Sequence, residues 1–367
     1  MRDNLYITAT RRGQGKTTIT LGMTMALSSV LPNLGFIKPV GIRHIFRGDL
    51  DLDEDTLLIH RSCKIHTNIQ ESSPITIRRG LPQPNLSSAG QKNTLGRIDE
   101  AFSNVSRGKD LVVIMGNGHA AVGTTWGISN AQMARRFGAK VLLVTTPDIG
   151  HPLDEIILNR SHFEKEGVEL AGAVVNQVPR DQIDEVSQTA RKSLEQHGIR
   201  YLGSIPLIAD LGKPTLVQIL EALGGKPIAC KERLRNRHRR TSLGAMAPQT
   251  AYSRLLRLKP HHLLITPGDR IDLIFTALAA HQKKSTTESP LLSGLVLTGD
   301  LTPPPAVIEH LEESQIPTIL VPFDSYRAAQ LIHELDVPID PSDRKLISNV
   351  RTLVEKHVDI ETLLEVL

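Results

Sequence analysis

The chain has 367 residues, of which 40% are hydrophobic and 22% charged; this composition is typical of globular proteins, and the length allows two domains. Its net charge of +4 is too small to indicate a nucleic-acid-binding protein, and no apolar run approaches the ~18 residues of a membrane span. The two cysteines, Cys63 and Cys230, are isolated and lack a metal-ligand spacing, which argues against a disulfide framework or a zinc site. We therefore expect a cytoplasmic protein with neither a membrane nor a nucleic-acid partner.

The first predicted element is a short strand, Leu5–Thr8, which leads through a turn into an amphipathic helix that starts at Lys16. The turn and the first helical residues include Gly13, Gly15, Lys16, Thr17 and Thr18. In this order the backbone N–H groups and the helix dipole face an anion, the lysine reaches the outer phosphates of a nucleotide, and the first threonine suits Mg²⁺. The pattern predicts a phosphate-binding loop, because an ordinary strand-to-helix turn does not require these residues together.

The first 225 residues alternate apolar runs with longer helical patterns, which predicts an α/β domain with a parallel sheet and helices on both faces. The other predicted strands are rich in Val, Ile and Leu: Leu34–Lys38, Leu111–Met115, Lys140–Thr145, Leu170–Asn176 and Tyr201–Ile205. Helical periodicity follows Lys16 and recurs at Asn130–Phe137, Pro152–Glu166, Asp181–His197 and Thr215–Leu223. Residues Gln83–Thr94 are predicted to form a surface loop.

A second α/β domain is predicted after the first, which we place at residues 1–225. Residues 226–245 are predicted as a basic linker and residues 246–340 as the smaller second domain. Its predicted strands and helices are His262–Thr266, Ile274–Ala280, Leu295–Thr298, Ala306–Ser314, Thr318–Val321 and Pro322–Leu335. Two amphipathic stretches, Arg344–His357 and Ile360–Leu367, predict a C-terminal helical segment over residues 341–367.

Further candidate site residues follow the predicted strands of the first domain. Lys38 ends the second strand, Met115 and a glycine-rich turn end the third, and Asn176 ends the fifth. Ligands of open parallel sheets bind at the carboxyl ends of strands, so these positions join the phosphate-binding loop. An acidic run after Lys38 is most simply a solvated loop in which only Asp55 is a site candidate; it comprises Asp49, Asp51, Asp53, Glu54 and Asp55.

Together these residues resemble the dethiobiotin synthetase family, and more closely the N-terminal region of long bacterial phosphotransacetylases. Residues 265–272 and 294–300 are similar to the DRTGG domain that follows that region. The resemblance covers nearly the whole chain and implies a P-loop nucleotide-binding domain joined to a DRTGG domain. Long phosphotransacetylases continue into a catalytic domain, so we expect a stand-alone relative that lacks the transferase domain.

The resemblance implies that the chain binds ATP, together with Mg²⁺. Lys16 and Lys38 would be the catalytic residues, and Thr17 and Asp55 would ligate the metal, with Asp53 as a neighbouring candidate. The implied nucleotide-binding residues are Arg12, Gly13, Gly15, Lys16, Thr17, Thr18 and Asn176, of which Asn176 would read the adenine edge.

One departure from dethiobiotin synthetases bears on catalysis. Met115 stands where that family carries a glutamate ligand of the metal, and a thioether is a poor ligand for Mg²⁺. We therefore expect nucleotide binding with little phosphoryl transfer. The leading hypothesis is a regulatory or metabolite-sensing protein with a protein partner in acetyl-phosphate or related metabolism.

Two other function classes stay open. The first is an ATP-dependent ligase that activates a carboxylate or carbamate by phosphorylation, with Lys38 and Asp55 at the transferred group. The second, a membrane-recruited ATPase, is disfavoured because the second lysine of such loops is absent and residues Val358–Leu367 are short and acidic. The resemblance further implies a homodimer.

Overall fold

Two α/β units make up the structure, and the computed structural model describes residues 2–47, 50–77, 87–147, 152–208, 211–286, 289–335 and 337–367. The first unit contains Met1–Ile208 and Ile339–Leu367, and the second contains Ala209–Pro338. Within these described ranges, no helix is both long and apolar enough to cross a membrane.

A parallel sheet forms the centre of the first unit. The described strands of this unit are β1 (Asn4–Ala9), β2 (Leu34–Ile37), β3 (Val40–Gly41), β4 (His44–Arg47), β5 (Leu50–Asp53), β6 (Ile75–Thr76), β7 (Leu111–Met115), β8 (Ala139–Thr145), β9 (Leu170–Val178) and β10 (Tyr201–Pro206). The sheet has the order β10-β9-β8-β1-β7-β2 with parallel pairing throughout, while β3 pairs with β6 and β4 pairs with β5. The predicted α/β class and parallel sheet are confirmed.

Helices cover both faces of this sheet. They are α1 (Lys16–Ser28), α2 (Glu54–Ser62), α3 (Ser88–Ser106), α4 (Asn130–Arg136), α5 (Pro152–Lys165) and α6 (Ile183–Gln196). Tyr6 of β1 packs in a core cluster with Ile98 of α3, Met133 of α4 and Phe163 of α5. Side chains alternate along a strand, so the buried Ile7 faces the opposite side. Residues 88–94, predicted as loop, instead begin α3, and residues 83–86 lie outside the described ranges.

The second unit is also a sheet covered on both faces. It contains α7 (Leu216–Leu223), β11 (Lys226–Ala229), β12 (Arg240–Leu243), α8 (Pro248–Leu255), β13 (His262–Pro267), α9 (Ile271–Lys284), β14 (Leu292–Thr298), α10 (Pro305–Glu313), β15 (Thr318–Leu320) and α11 (Ser325–Glu334). The strand order is β11-β15-β14-β13-β12. Among the described strands of this second sheet, β11 alone runs antiparallel to its neighbour, β15. Alternate residues of β14, Leu295 and Val296, lie in separate core clusters on the two faces.

The prediction of a linker over residues 226–245 is wrong. This segment supplies β11 and β12, the two edge strands of the second sheet. Both strands are short, and three of the four residues of β12 are exposed, so neither shows the continuous apolar run of a buried parallel strand. Basic side chains are common on edge strands because they discourage pairing with other chains. The segment was therefore interpreted as a linker because its basic composition does not resemble that of a buried strand.

The C-terminal segment forms α12 (Arg344–His357) and α13 (Ile360–Val366), which belong to the first unit. Helix α12 packs along α1, where Val354 lies so close to Gly22 that a Cβ there would be 2.3 Å from Val354 Cγ2. Val350 and Val354 of α12 are completely or almost completely buried in this contact region. The last segment of the chain thus supports the helix that begins at Lys16.

Candidate functional site

Two glycines in the left-handed backbone region shape the turn between β1 and α1. Gly13 has φ 86° and Gly15 has φ 78°, and Gly15 occupies the N-cap position of α1 without a side-chain cap. The first turn of α1 carries no acidic residue. Its unsatisfied backbone N–H groups and the positive end of the helix dipole therefore lie at a surface suited to an anion.

Hydrogen bonds hold the conformation of this loop. The side-chain oxygen of Gln14 accepts from Thr10 Oγ1 and from the backbone N–H of Arg11, both at 2.8 Å. Asn176 Nδ2 donates to the carbonyl of Gln14 at 2.9 Å, and Gln177 Nε2 donates to the carbonyl of Gly13 at 3.2 Å. The loop is thus fixed from inside and from the end of β9 before any ligand arrives.

Asn176 has a different contact from the one that the resemblance implies. Its side chain is buried beneath the loop, and a Cβ on Gly15 would lie 2.2 Å from Asn176 Nδ2. In this structure the amide nitrogen positions the loop through the carbonyl of Gln14. A contact between Asn176 and an adenine base stays a prediction.

Glu155 of α5 ties the loop to the neighbouring helix, and no sequence motif indicated it. Its carboxylate pairs with Arg11, accepts from Gln14 Nε2 at 3.3 Å, and shares with Gln14 Oε1 the single hydroxyl proton of Thr10, whose Oγ1 is 2.8 Å away. Burial alone would raise the pKa of Glu155, but the hydrogen bonds from Arg11 and Thr10 lower it on balance. Arg11 is therefore engaged with α5.

Lys38 lies at the centre of a buried charge cluster. Its Nζ donates to Asp53 Oδ1 and Oδ2 at 2.8 and 2.9 Å and to Asp55 Oδ2 at 2.5 Å. Burial alone would lower the pKa of Lys38, but the charges of Asp55 and Asp53 outweigh it and raise the pKa. Burial would likewise raise the pKa of Asp55, whereas Lys38, Lys16 and Arg43 hold it well below the usual range. Lys38 and Asp55 are therefore both ionised at neutral pH.

Asp53 is a structural member of this cluster, and the interpretation of the acidic run as a solvated loop is wrong for it. The residue is completely buried at the end of β5 and caps α2 by accepting from the N–H groups of Asp55 and Thr56. Its other oxygen accepts from the N–H of Ile42 at 3.1 Å. The ammonium of Lys38 and the helix N-terminus compensate the buried charge, which a pattern of acidic residues cannot show. Asp49 lies outside the described residues.

Lys16 differs from Lys38 because no other described residue forms a hydrogen bond or ion pair with its ammonium group. Burial, followed by repulsion from Lys38, lowers the pKa of Lys16 to about 8, against the attraction of Asp55 and Asp53. Lys16, a half-buried residue, thus lies at the start of α1, and no described residue accepts a hydrogen bond from its ammonium group. An anion at the helix N-terminus would supply the negative counter-charge that the ammonium of Lys16 lacks.

Thr17 and Asp55 form a set of oxygen donors suited to Mg²⁺. Thr17 Oγ1 donates to Asp55 Oδ1 at 3.1 Å, so the two oxygens are spaced about as two neighbouring ligands in an octahedral magnesium site. Mg²⁺ is commonly held by one or two carboxylates together with water and substrate phosphates, and this donor set fits that pattern. Met115 is completely buried and lines an internal cavity, so it adds no ligand.

The structure brings most of the predicted site residues together. Lys16, Thr17, Lys38 and Asp55 are joined by the contacts described above, and Asn176 supports the loop from below. Thr18 is buried in the first turn of α1, whereas Arg12 and Gly13 are exposed on the loop. Cys63 and Cys230 are free and buried, and no group of three or more His, Cys, Asp or Glu side chains suited to a metal occurs within the described residues.

Comparison with family models identifies both units. Residues 3–215 match the model of an AAA domain, and residues 218–335 match the DRTGG domain. The boundary between the two matches, at residues 215–218, lies a few residues inside the second unit, which begins at Ala209.

Comparison with curated proteins yields phosphate acetyltransferases. The chain is 26% identical over 370 residues to that of Nitratidesulfovibrio vulgaris, an alignment that covers 98% of this chain and 51% of the relative. It is also 26% identical over 379 residues to that of Pseudomonas aeruginosa, with the same two coverages. The chain therefore spans about half the length of the curated relatives that it matches.

Among solved structures, the MinD cell division protein of Aquifex aeolicus is similar with a TM-score of 0.36 and 15% identity, over 57% of this chain and 84% of that chain. A score at this level supports no inference about function. The family matches and the coverage of the relatives agree with the architecture: the chain belongs to the AAA domain family, and it joins this domain to a DRTGG domain as in the N-terminal half of long phosphate acetyltransferases.

Proposed function

We propose that the chain binds ATP at the loop formed by residues 13–18. The observation that carries the proposal is Lys16, a half-buried ammonium group with no hydrogen-bond partner among the described residues, at a helix start shaped by two left-handed glycines. The β- and γ-phosphates would accept from Lys16 and from the backbone N–H groups at the start of α1. Arg12, exposed on the same loop, adds positive charge near this surface.

Mg²⁺ would enter with the nucleotide. Thr17 and Asp55 supply two oxygen ligands, and the phosphates and water supply the others. The metal would neutralise phosphate charge and orient the outer phosphates. Lys38 would keep the carboxylate of Asp55 ionised and in position.

Occupancy of this site is proposed to act as a signal, with little transfer of the phosphoryl group. Lys38 is tied by three short hydrogen bonds to two buried carboxylates, so it cannot contact a transferred phosphate unless this cluster opens. Met115, at the end of the neighbouring strand, contributes no second acidic ligand. Both features favour binding over ligase chemistry, in which Lys38 would act at the transferred group.

The regulated process is proposed to lie in acetyl-phosphate or related metabolism, through a protein partner, and the chain is proposed to form a homodimer. The supporting observation is the similarity of the whole chain to phosphate acetyltransferases. A dethiobiotin-synthetase-like activity stays a prediction, as does a cytoplasmic location.

A combined stability and turnover assay tests the proposal. ATP with Mg²⁺ is expected to raise the melting temperature of the wild-type protein, since a ligand that binds only the folded state stabilises it. The same samples are expected to form ADP no faster than the Lys16→Ala variant. The matched control is Lys192→Ala, an exposed lysine on α6, which should retain the thermal shift. Absence of a shift in the wild type would exclude the binding site, and rapid ADP formation that depends on Lys16 would favour an enzyme.

A further inference from the structure

A small cavity of about 30 Å³ lies in the first unit at the carboxyl end of β7. Its inner wall is formed by Tyr6, Met115 and Met133, which are buried. Its outer wall includes Val122 and Trp126, which are only partly buried, so the cavity lies directly beneath the surface.

Two of the residues that line this cavity each contain a buried polar atom with no partner among the described residues. These atoms are Asn117 Oδ1, in a side chain that is 7% exposed, and the indole nitrogen Nε1 of Trp126. The side chain of the neighbouring Asn130 is fully hydrogen-bonded: its Oδ1 accepts from the Tyr6 hydroxyl and the backbone N–H of Asn117, and its Nδ2 donates its two protons to the carbonyls of Asn117 and His119. The wall of the cavity therefore contains one buried acceptor and one buried donor that no described residue satisfies.

The orientation of the Asn117 amide is fixed by the backbone. Its Nδ2 donates to the carbonyl of Val40 at 2.6 Å, so a rotated amide would place two oxygens against each other. The unpaired atom of this amide is therefore the acceptor Oδ1. Leaving a buried acceptor and a buried donor unsatisfied is unfavourable, and a bound group that accepts from one and donates to the other removes this penalty.

The lining residues restrict the chemistry of that group. None of the lining residues that the structure describes carries a charge, and most of them are aliphatic, aromatic or methionine side chains. Burial of an ion without a counter-charge is strongly unfavourable, which excludes carboxylates, phosphates and ammonium groups. A terminal hydroxyl or primary amide both donates and accepts, and an aliphatic remainder would contact the apolar rim.

The cavity shares a chain segment with the charge cluster of the nucleotide site. Pro39 and Ile42, which line the cavity, belong to the segment that follows Lys38 in the chain. The N–H of Ile42 also donates to Asp53, the carboxylate that holds Lys38. A ligand that moves residues 39–42 would therefore shift the partners of Lys38.

We propose that this cavity is the entry of an effector site, which receives the terminal hydroxyl or amide of a small neutral aliphatic ligand between Asn117 and Trp126. The inference deepens the proposed function, because it names the chemical class of the sensed molecule. Occupancy acts on the nucleotide site through residues 39–42.

Fluorescence of Trp126, the only tryptophan of the chain, reports on this site directly. The probe is butyramide, and butyrate is the charged comparison of the same length. Val122→Phe fills the rim without changing a fully buried residue, and Val30→Phe makes the same change at a position that is 59% exposed and is not among the cavity-lining residues.

Butyramide is expected to change the fluorescence saturably in the wild type and in Val30→Phe, and butyrate is expected to have no effect. In Val122→Phe the response should be lost, and in Asn117→Ala the affinity should fall about tenfold because one hydrogen bond is removed. An unresponsive wild type would show that the cavity holds a structural water only, and an equal response in Val122→Phe would place the probe elsewhere; both results overturn the proposal.

Coupling to the nucleotide is measured separately by titrating ATP with and without saturating butyramide. We expect the affinity for ATP to change by about fivefold or more. Unchanged affinity would overturn the regulatory link. A protein that responds to butyramide but does not bind ATP would uphold the site and contradict the proposed function, whereas ATP binding without a butyramide response would do the reverse.

Discussion

Lys16 and Lys38 belong to one site but have opposite electrostatic surroundings. Three hydrogen bonds from two aspartates satisfy the ammonium of Lys38, whereas Lys16 has no such partner among the described residues. The pKa shifts follow from this difference: the pKa of Lys38 is raised despite burial, and burial with repulsion from Lys38 lowers that of Lys16. One lysine therefore stabilises the fold, and the other is available to an anion.

Lys38→Met is expected to destabilise the first unit by about 3–5 kcal/mol, because Asp53 and Asp55 are then left as buried charges without their partner. Urea unfolding followed by Trp126 fluorescence measures this change. Lys192→Met, at an exposed position on α6, should change the free energy of unfolding by no more than about 0.5 kcal/mol. Equal effects of the two substitutions would show that the cluster does not stabilise the fold.

The affinity for ATP is expected to fall as the pH rises above about 8. Below its folded-state pKa of about 8, Lys16 is protonated and attracts the phosphates; above it the charge is lost. Binding should accordingly be accompanied by proton uptake near this pH, which calorimetry in buffers of different ionisation enthalpy detects. In Lys16→Arg the guanidinium stays charged, so any remaining affinity should not decline. A flat wild-type profile from about pH 7 to about pH 9.5 would contradict this assignment.

Sequence reasoning identified the residues whose chemistry is local and missed those that act from a distance. Gly15, Lys16 and Thr17 form a contiguous pattern, and Lys38 and Asp55 follow from family resemblance. No sequence pattern indicated Glu155, because its contact with the loop depends on how α5 packs against residues far away in the chain.

The strand–loop–helix element of β1 and α1 depends on its glycines in unequal ways. Both Gly13 and Gly15 have positive φ, but a Cβ on Gly13 would meet no atom within 4 Å. A Cβ on Gly15 would lie 2.2 Å from Asn176 Nδ2. Position 15 therefore requires glycine for two reasons: other residues are strained at its positive φ, and Asn176 leaves no room for a Cβ.

Gly15→Ala is expected to destabilise the first unit and to abolish ATP binding, because the loop must move away from Asn176. Gly13→Ala should produce only the strain of a left-handed alanine, about 1–2 kcal/mol, and should retain measurable binding. Thermal unfolding and ATP titration of the two variants provide the comparison. Equal losses of stability and binding would mean that the close approach to Asn176 has no role.

The strands of the first sheet were recognisable because buried parallel strands are continuous apolar runs, as in Leu111–Met115. The edge strands of the second sheet were not, because three of the four residues of Arg240–Leu243 are exposed. In these two sheets, strand prediction from composition thus succeeded where the side chains are buried, even at the edges β2 and β10, and failed where most side chains are exposed.

At the scale of the whole molecule, the first unit is built from two separated segments of the chain. Residues 339–367 return to it after the second unit, and α12 packs along α1. The sequence predicted α12 as an amphipathic helix, but an apolar face does not identify its partner. The partner proves to be the helix that carries Lys16 and Thr17.

Val350→Asp is expected to destabilise the first unit by about 3 kcal/mol or more, since an uncompensated carboxylate would be buried between α12 and α1. Asn349→Asp, one residue earlier on the same helix and exposed, introduces the same charge and should have a small effect. Hydrogen exchange of Val350→Asp should show loss of protection in residues 1–208 and none in residues 211–335, whereas the control should show neither. Uniform loss across the two units would contradict the assignment of α12 to the first unit alone.

The measurement that tests the account most directly is calorimetric titration of the full chain with ATP in the presence of Mg²⁺, with ADP assayed in the same samples. The account predicts saturable binding in the wild type, at least about tenfold weaker binding in Lys16→Ala, and little ADP. Binding that is absent, or that is unchanged in Lys16→Ala, would contradict the assignment of residues 13–18 as a nucleotide site. Rapid formation of ADP would instead contradict a signalling role.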